Sequence, residues 1–211
     1  MSGRYSSKTL RQDPKFLRNL FSLAGKWGIL IIKKNKVDIA GIQLIGSDKI
    51  RKNDTSVDVT KTVHFFVEDN KLNRYYDHPE KYLDRLAPYH HVFTPDYSLY
   101  ADMPLIIQMY NTFKNRWCGA YWQDYGLSVI PSVSWSTEES FEFCFDGIEQ
   151  GSIVAISTVG NLNNTVKNSF LRGYFEMIKR INPEWIICFG KAFPEMGDRV
   201  VVVRYPKIQG G

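Results

Sequence analysis

The chain has 211 residues, 44% hydrophobic and 23% charged, ordinary for a soluble globular protein and long enough to bury a sizeable core. No apolar run approaches the roughly 18–20 residues that cross a bilayer, and "MSGRYSSKTLRQDPK" has no signal-type stretch, so the reading is cytoplasmic, with no membrane partner. Cys118, Cys144 and Cys188 are odd in number and lack CxxC spacing, which argues against a disulfide framework and a zinc site.

The net charge of +5 is uneven. Residues 1–52 hold twelve Lys or Arg against three acids, and residues 53–211 hold fifteen against nineteen. A basic end of this kind suggests an acidic partner, nucleic acid being the commonest, or a solvated surface with no partner at all. The division expected is therefore a basic N-terminal arm, helix and hairpin over 1–52, followed by an α/β domain over 53–211.

In chain order, residues 1–12 read as a basic arm. "DPKFLRNLFSLAG" has helix punctuation, with Asp13 as N-cap, Pro14 in the first turn and Gly25 at the end. "GILII" and "VDIAGIQLI" flank the polar turn "KKNK" and read as two strands, followed by a polar loop at 47–56. From residue 62 strand and helix alternate. "TVHFFVE" is a strand, "DHPEKYLDRL" a helix, and "HHVFTPDYSLY" a strand that breaks at Pro95. A long helix follows through "MPLIIQMYNTFKNRWCGAYWQDYG", with Ile106, Tyr110, Phe113 and Trp117 at helical spacing and "FKNRW" as a polar face. "LSVIPSV" is a strand, "TEESFEFCFDGI" reads as a helix or, by the alternation of "FEFCF", as a strand, "SIVAIST" is a strand and "TVKNSFLRGYFEMIKRI" a helix stopped by Pro183. "EWIICFG" and "RVVVVRYP" close the chain as strands. Nearly continuous apolar strands alternating with helices imply a mainly parallel sheet covered on both faces, partial-barrel-like or doubly wound.

Right-handed crossovers point such strands one way, and ligands bind beyond their C-terminal ends. Four strand ends carry polar residues: Asp96 and Tyr97; Ser134 and Trp135; Ser157, Thr158 and Gly160; and Lys191. Ser136 with Glu139 fits a capping box, which gives that hydroxyl a structural task. Trp135 either lies over a planar ligand group or plugs the rim of the sheet. Asp96 is the one carboxylate placed directly at a strand end and Lys191 the one ammonium, which makes them the candidate catalytic pair. His64, His78, His90 and His91 form no HExxH or HxH set, and His90 and His91 are expected on opposite faces of a strand. No metal or other cofactor is expected. Neither GxGxxG nor GxxxxGK[ST] is present.

The blocks "FTPDYSLYADMP", "GAYWQDYGLSVIPSVSW", "GSIVAISTVG" and "IICFGK" resemble an uncharacterised domain family of bacteria, phages and other mobile elements, over residues 65–204 or so. The resemblance brings no reaction with it. It places Asp96, Trp122, Gln123, Ser134, Trp135, Ser157, Gly160 and Lys191 inside the family's motif blocks and adds Trp122 and Gln123 to the candidate ligand-binding residues. Three functional readings follow. The first is a phage or mobile-element protein that binds a nucleotide or nucleic acid, a phosphate-bearing ligand, at its strand ends. The second is a hydrolase or transferase acting on a phosphate or glycosyl bond. The third is a structural or host-protein-binding module.

Overall fold

The computed structural model describes residues 11–17, 20–160 and 164–203. Most of the basic arm, and the polar loop directly after Gly160, lie outside the described residues. Among the described residues no helix is long and apolar enough to cross a membrane.

Seven short parallel strands form the centre of the molecule. β3 (Leu44–Gly46), β4 (Thr62–His64), β5 (His91–Phe93) and β6 (Val129–Ile130) pair in that order, as do β7 (Val154–Ser157), β8 (Ile186–Phe189) and β9 (Val200–Val203). A parallel bridge from Ser132 to Ala155 joins β6 to β7. The strands therefore follow one another in space as they do in sequence, without the reversal of order that defines a doubly wound sheet. An array wound in one direction curls. The His64 and Phe66 rings, from β4 and the residues just after it, both lie 5.0 Å from the Phe189 ring on β8, although β4 and β8 are not neighbours in the sheet. A groove of about 470 Å³ separates residues 41–44 from Val201–Val203, so the first and last strands face each other across an open seam. The architecture is a partly closed parallel barrel.

Period-two alternation explains the apolar strands. Val154, Ile156, Ile186 and Cys188 pack with Phe170, Tyr174 and Met177 of the helix α4 (Asn164–Ile181), while the intervening Ala155 and Ile187 join the other core cluster. Along Val154–Ile156 and Ile186–Cys188 both faces are covered, which is why these runs are continuously apolar. α1 (Asn73–Asp77) and α2 (Pro79–Leu86) supply Tyr75, Tyr82 and Leu86 to the same core. All three cysteines are buried thiols. Burial raises each above the ordinary range, Cys144 up to about 12, so none is a ready nucleophile at neutral pH.

The N-terminal region differs from its sequence reading. Asp13 caps as expected, accepting the Lys15 N–H at 3.0 Å, but the turn is a single 3-10 turn, Pro14–Phe16, and Leu17 is extended. Gly25 and Gly28, both at positive φ, turn the chain into a hairpin of β1 (Leu23–Ala24) with β2 (Ile29–Leu30). β2 thus pairs backwards in sequence and not with the later apolar run, which enters the barrel as β3.

The 20-residue helix α3 (Leu105–Asp124) departs further. Its Ile106 and Tyr110 are 68% and 48% exposed, whereas Gln108, Asn111, Thr112, Asn115 and Arg116 are buried. "FKNRW" is therefore not an outer polar face. The helix presents its polar side to the strand ends, whose free carbonyls need donors. Gly119 does not interrupt it. A Cβ there would lie 2.5 Å from Ile32 Cδ1 and 2.7 Å from Thr94 Cγ2, so the glycine lets the helix settle on the sheet.

Candidate functional site

Hydrogen bonds set the spacing between two strand ends. Beyond β5, Thr94 takes the Ser132 N–H on its Oγ1 at 2.8 Å and the Ser132 hydroxyl proton on its carbonyl at 2.9 Å. Asn115 of α3 donates from one amide nitrogen to Pro95 O at 2.8 Å and to Ser132 O at 3.2 Å. Two residues onward on each strand the side chains of Asp96 and Ser134 meet, with the Ser134 hydroxyl donating to Asp96 Oδ1. Burial raises the Asp96 carboxyl to about 6; the Ser134 hydrogen bond and the Arg116 charge pull it down, and the Asp69 carboxylate pushes it up.

Asp96 and Ser134 line a cleft of about 360 Å³ together with Trp135 and Ser157, which places three strand ends on one cavity. That size falls within the range of small-molecule sites, roughly 300–1,000 Å³. Trp135 settles into a slot on α4. Its Nε1–H donates to Phe170 O at 3.1 Å, its ring lies 4.9 Å from Phe170 and 6.0 Å from Phe145, and it abuts Gly173. It plugs the rim and lines the cleft as well. A Cβ on Gly173 would sit 2.1 Å from Trp135 Cδ1, too close for either to stay in place. Gly173→Ala should therefore destabilise the protein by about 1–3 kcal/mol from overpacking, against about 1 kcal/mol gained in helix propensity. Near-UV circular dichroism should change with it. An unaltered spectrum and unfolding midpoint would place the indole elsewhere.

Several lining residues escaped the sequence reading. The Ser136 hydroxyl does not cap the next turn, whose N-cap is Thr137; it donates to Gln108 Oε1 at 2.5 Å and borders the cleft. The Gln108 amide is held by its own donors, to Tyr100 O at 3.0 Å and Met103 O at 2.7 Å. Ser98 donates from its N–H and its hydroxyl to Asp69, at 3.1 and 2.9 Å. In the sequence only the "PDYS" run hinted at Ser98.

The other expected site residues stand apart. Lys191 is exposed and does not line the cleft. Thr158 is buried, its Oγ1 directed at Phe189 O (3.5 Å) and Cys188 Sγ (3.8 Å). Gly160, at φ +87°, has the conformation that favours glycine but sits in open space. Tyr97 is a core residue whose hydroxyl donates to Leu72 O at 3.2 Å. Trp122 is wholly buried, its ring 5.4 Å from Phe65. Gln123 clamps the backbone of Lys33, accepting its N–H at 2.9 Å and donating to its carbonyl at 2.8 Å. His90 and His91 do not diverge; their rings stack at 4.2 Å, because His90 precedes the strand. Burial lowers His91 and His64 to about 4, so both are neutral at pH 7.

A family model described as a domain of unknown function (DUF4417) matches residues 21–206. The chain is 34% identical to the gene 1 protein of Mycobacterium phage L5 over 191 residues, 90% of this chain and 82% of that protein. With the gene 1 protein of Mycobacterium phage D29 it shares 38% identity over 130 residues, 61% of this chain and 48% of that one. No solved structure matches it.

Proposed function

This chain belongs to the DUF4417 family and is similar to two mycobacteriophage proteins, and from its strand-end cleft we propose that it binds a nucleotide or a unit of nucleic acid. The observation that carries the reading is the convergence of Asp96, Ser134, Trp135 and Ser157 on one cavity at the C-terminal ends of parallel strands, where barrel enzymes and binding proteins hold their ligands. The first turns of α4, with Val166 and Ser169, form one wall of that cavity. Calorimetric titration with the ribonucleoside 5′-monophosphates and a short single-stranded oligonucleotide should give saturable binding of at least one, at one site per chain. Ser169→Trp, which fills the cleft from its wall without altering the core, should abolish it. Absence of binding in every titration, or binding unchanged in the filled variant, would overturn the reading.

A second reading is favoured by the place of Asp96, which lines the cleft beside the Ser134 hydroxyl and whose carboxyl is raised by burial to about 6. A group with that value can both hold and release a proton near neutrality, as a hydrolase or transferase acting on a phosphate or glycosyl bond requires. With Lys191 outside the cleft, Asp96 would act beside serine hydroxyls and without a neighbouring ammonium. Turnover that persists in Asp96→Asn would remove this reading.

A further inference from the structure

Three of the serine hydroxyls that line the cleft have hydrogens already committed. Ser134 gives its hydroxyl proton to Asp96, Ser136 to Gln108 and Ser98 to Asp69. The Gln108 orientation is fixed independently, since both of its amide bonds run to backbone carbonyls and leave only Oε1 to face Ser136. A hydroxyl has one proton and two lone pairs. Each of these three serines therefore offers lone pairs to whatever enters, and Asp96 adds carboxylate oxygens. Ser157, Ser169 and Tyr100 are the exceptions. The Ser157 Oγ accepts the Val159 N–H at 3.2 Å, which leaves its own proton available. Among the described residues the lining holds no Lys, Arg or His.

Such a wall suits a hydrogen-bond donor and repels an acceptor. A phosphate group carries only acceptors and negative charge near neutrality, and would meet lone pairs and a carboxylate with no cation to offset them. A divalent cation would want several carboxylates or carbonyls, and the cleft presents one carboxylate. Sugar hydroxyls and the N–H groups of a base donate, and a ring can lie along the apolar part of the wall formed by Trp135, Val133 and Phe170.

We infer that the cleft recognises the uncharged part of a nucleotide, its base and sugar, through their hydrogen-bond donors, and leaves the phosphate outside. The inference rests on the nucleotide reading above and reverses the expectation of a phosphate-centred site.

The test uses the full chain with adenosine, guanosine, cytidine and uridine, their 5′-monophosphates, ribose and inorganic phosphate as probes. At least one nucleoside should bind within about threefold of its monophosphate, and the affinity should hold between roughly 50 and 500 mM salt, since no phosphate contact is screened. Inorganic phosphate should displace nothing. Ser136→Ala and Ser98→Ala should each weaken the nucleoside by about tenfold, the worth of one hydrogen bond. Both lie at the cleft wall, so one serves if the other fails to fold. Ribose that competes on its own would assign the donors to the sugar, and ribose without effect would assign them to the base. A monophosphate that binds while its nucleoside does not, or displacement by inorganic phosphate, would overturn this inference and leave nucleotide binding standing. If no probe binds, nucleotide binding itself fails.

Discussion

Arg116→Ala is expected to cost about 3–5 kcal/mol of folding stability, a large part of the 5–15 kcal/mol typical of a domain. The side chain is 2% exposed and has no carboxylate in direct contact. Its guanidinium donates to Asp146 O at 3.0 Å, Ser132 O at 3.1 Å, Cys144 O at 2.7 Å and Asn115 Oδ1 at 2.5 Å. Burial pulls its pKa down to about 10, which still leaves it charged at neutral pH. Truncation would take a donor from four acceptors, of which only Ser132 O keeps another in the Asn115 amide, and would open a cavity of nearly a whole side chain. Arg116→Met separates the two losses. It restores most of the volume but no hydrogen bond, and should recover about half of the deficit. The measurement is the urea midpoint of each variant. A midpoint for Arg116→Ala equal to that of the parent would show that the carbonyls find other donors.

The consequence reaches the cleft. Arg116 and Asn115 share the carbonyl of Ser132, and Asn115 also holds that of Pro95. These are the residues immediately before Asp96 and two before Ser134. The pair on α3 therefore sets the distance at which the carboxyl and the hydroxyl meet. A helix that turns its donors inward is the physical solution to strand ends that stop short, with carbonyls left over and no further strand to pair them.

This arrangement also marks where the sequence stops being legible. Alternating apolar runs identify the strands, and parallel direction brings Asp96, Ser134, Trp135 and Ser157 to one cavity from residue order alone. Periodicity then misleads in α3, because Ile106 and Tyr110 keep helical spacing while facing out, and the buried stripe of Gln108, Asn111, Asn115 and Arg116 looks like a solvated face. Nothing local distinguishes a polar residue that meets water from one that meets a carbonyl. The strand-end rule has its own limit at β8. It brings Lys191 towards the rim, but Gly190 at φ +118° redirects the chain and the ammonium lies outside the cleft. The helix expected from Asp13 to Gly25 fails for a different reason. The cap is correct, but a glycine three residues beyond Gly25 allows a hairpin that buries Ile29 and Leu30, and that burial outweighs helix propensity.

Asp96→Asn should stabilise the protein at neutral pH while it weakens ligand binding, and the gain should depend on pH in a defined direction. The folded-state carboxyl is raised from 3.8 to about 6, so between those values the native state holds a proton that the unfolded chain has released. Stability attributable to this group is therefore greatest below about pH 4, falls as pH rises towards about 6, and is level above it. The full linkage amounts to about 3 kcal/mol; with part of the residue open to the cleft, on the order of 2 kcal/mol is expected. Asparagine has no such titration, and its Oδ1 can still accept from Ser134. Other acids titrate alike in both proteins and cancel. The difference in unfolding free energy, variant minus parent, should therefore climb by on the order of 2 kcal/mol between pH 4 and pH 7. A carboxylate kept at a cost to the fold is one held for its chemistry, so a gain in stability and a weakening of binding should arrive together in this one variant. A difference that stays flat across the window would mean that Asp96 is as well hydrated as a surface acid, and the floor of the cleft would lose its distinctive group.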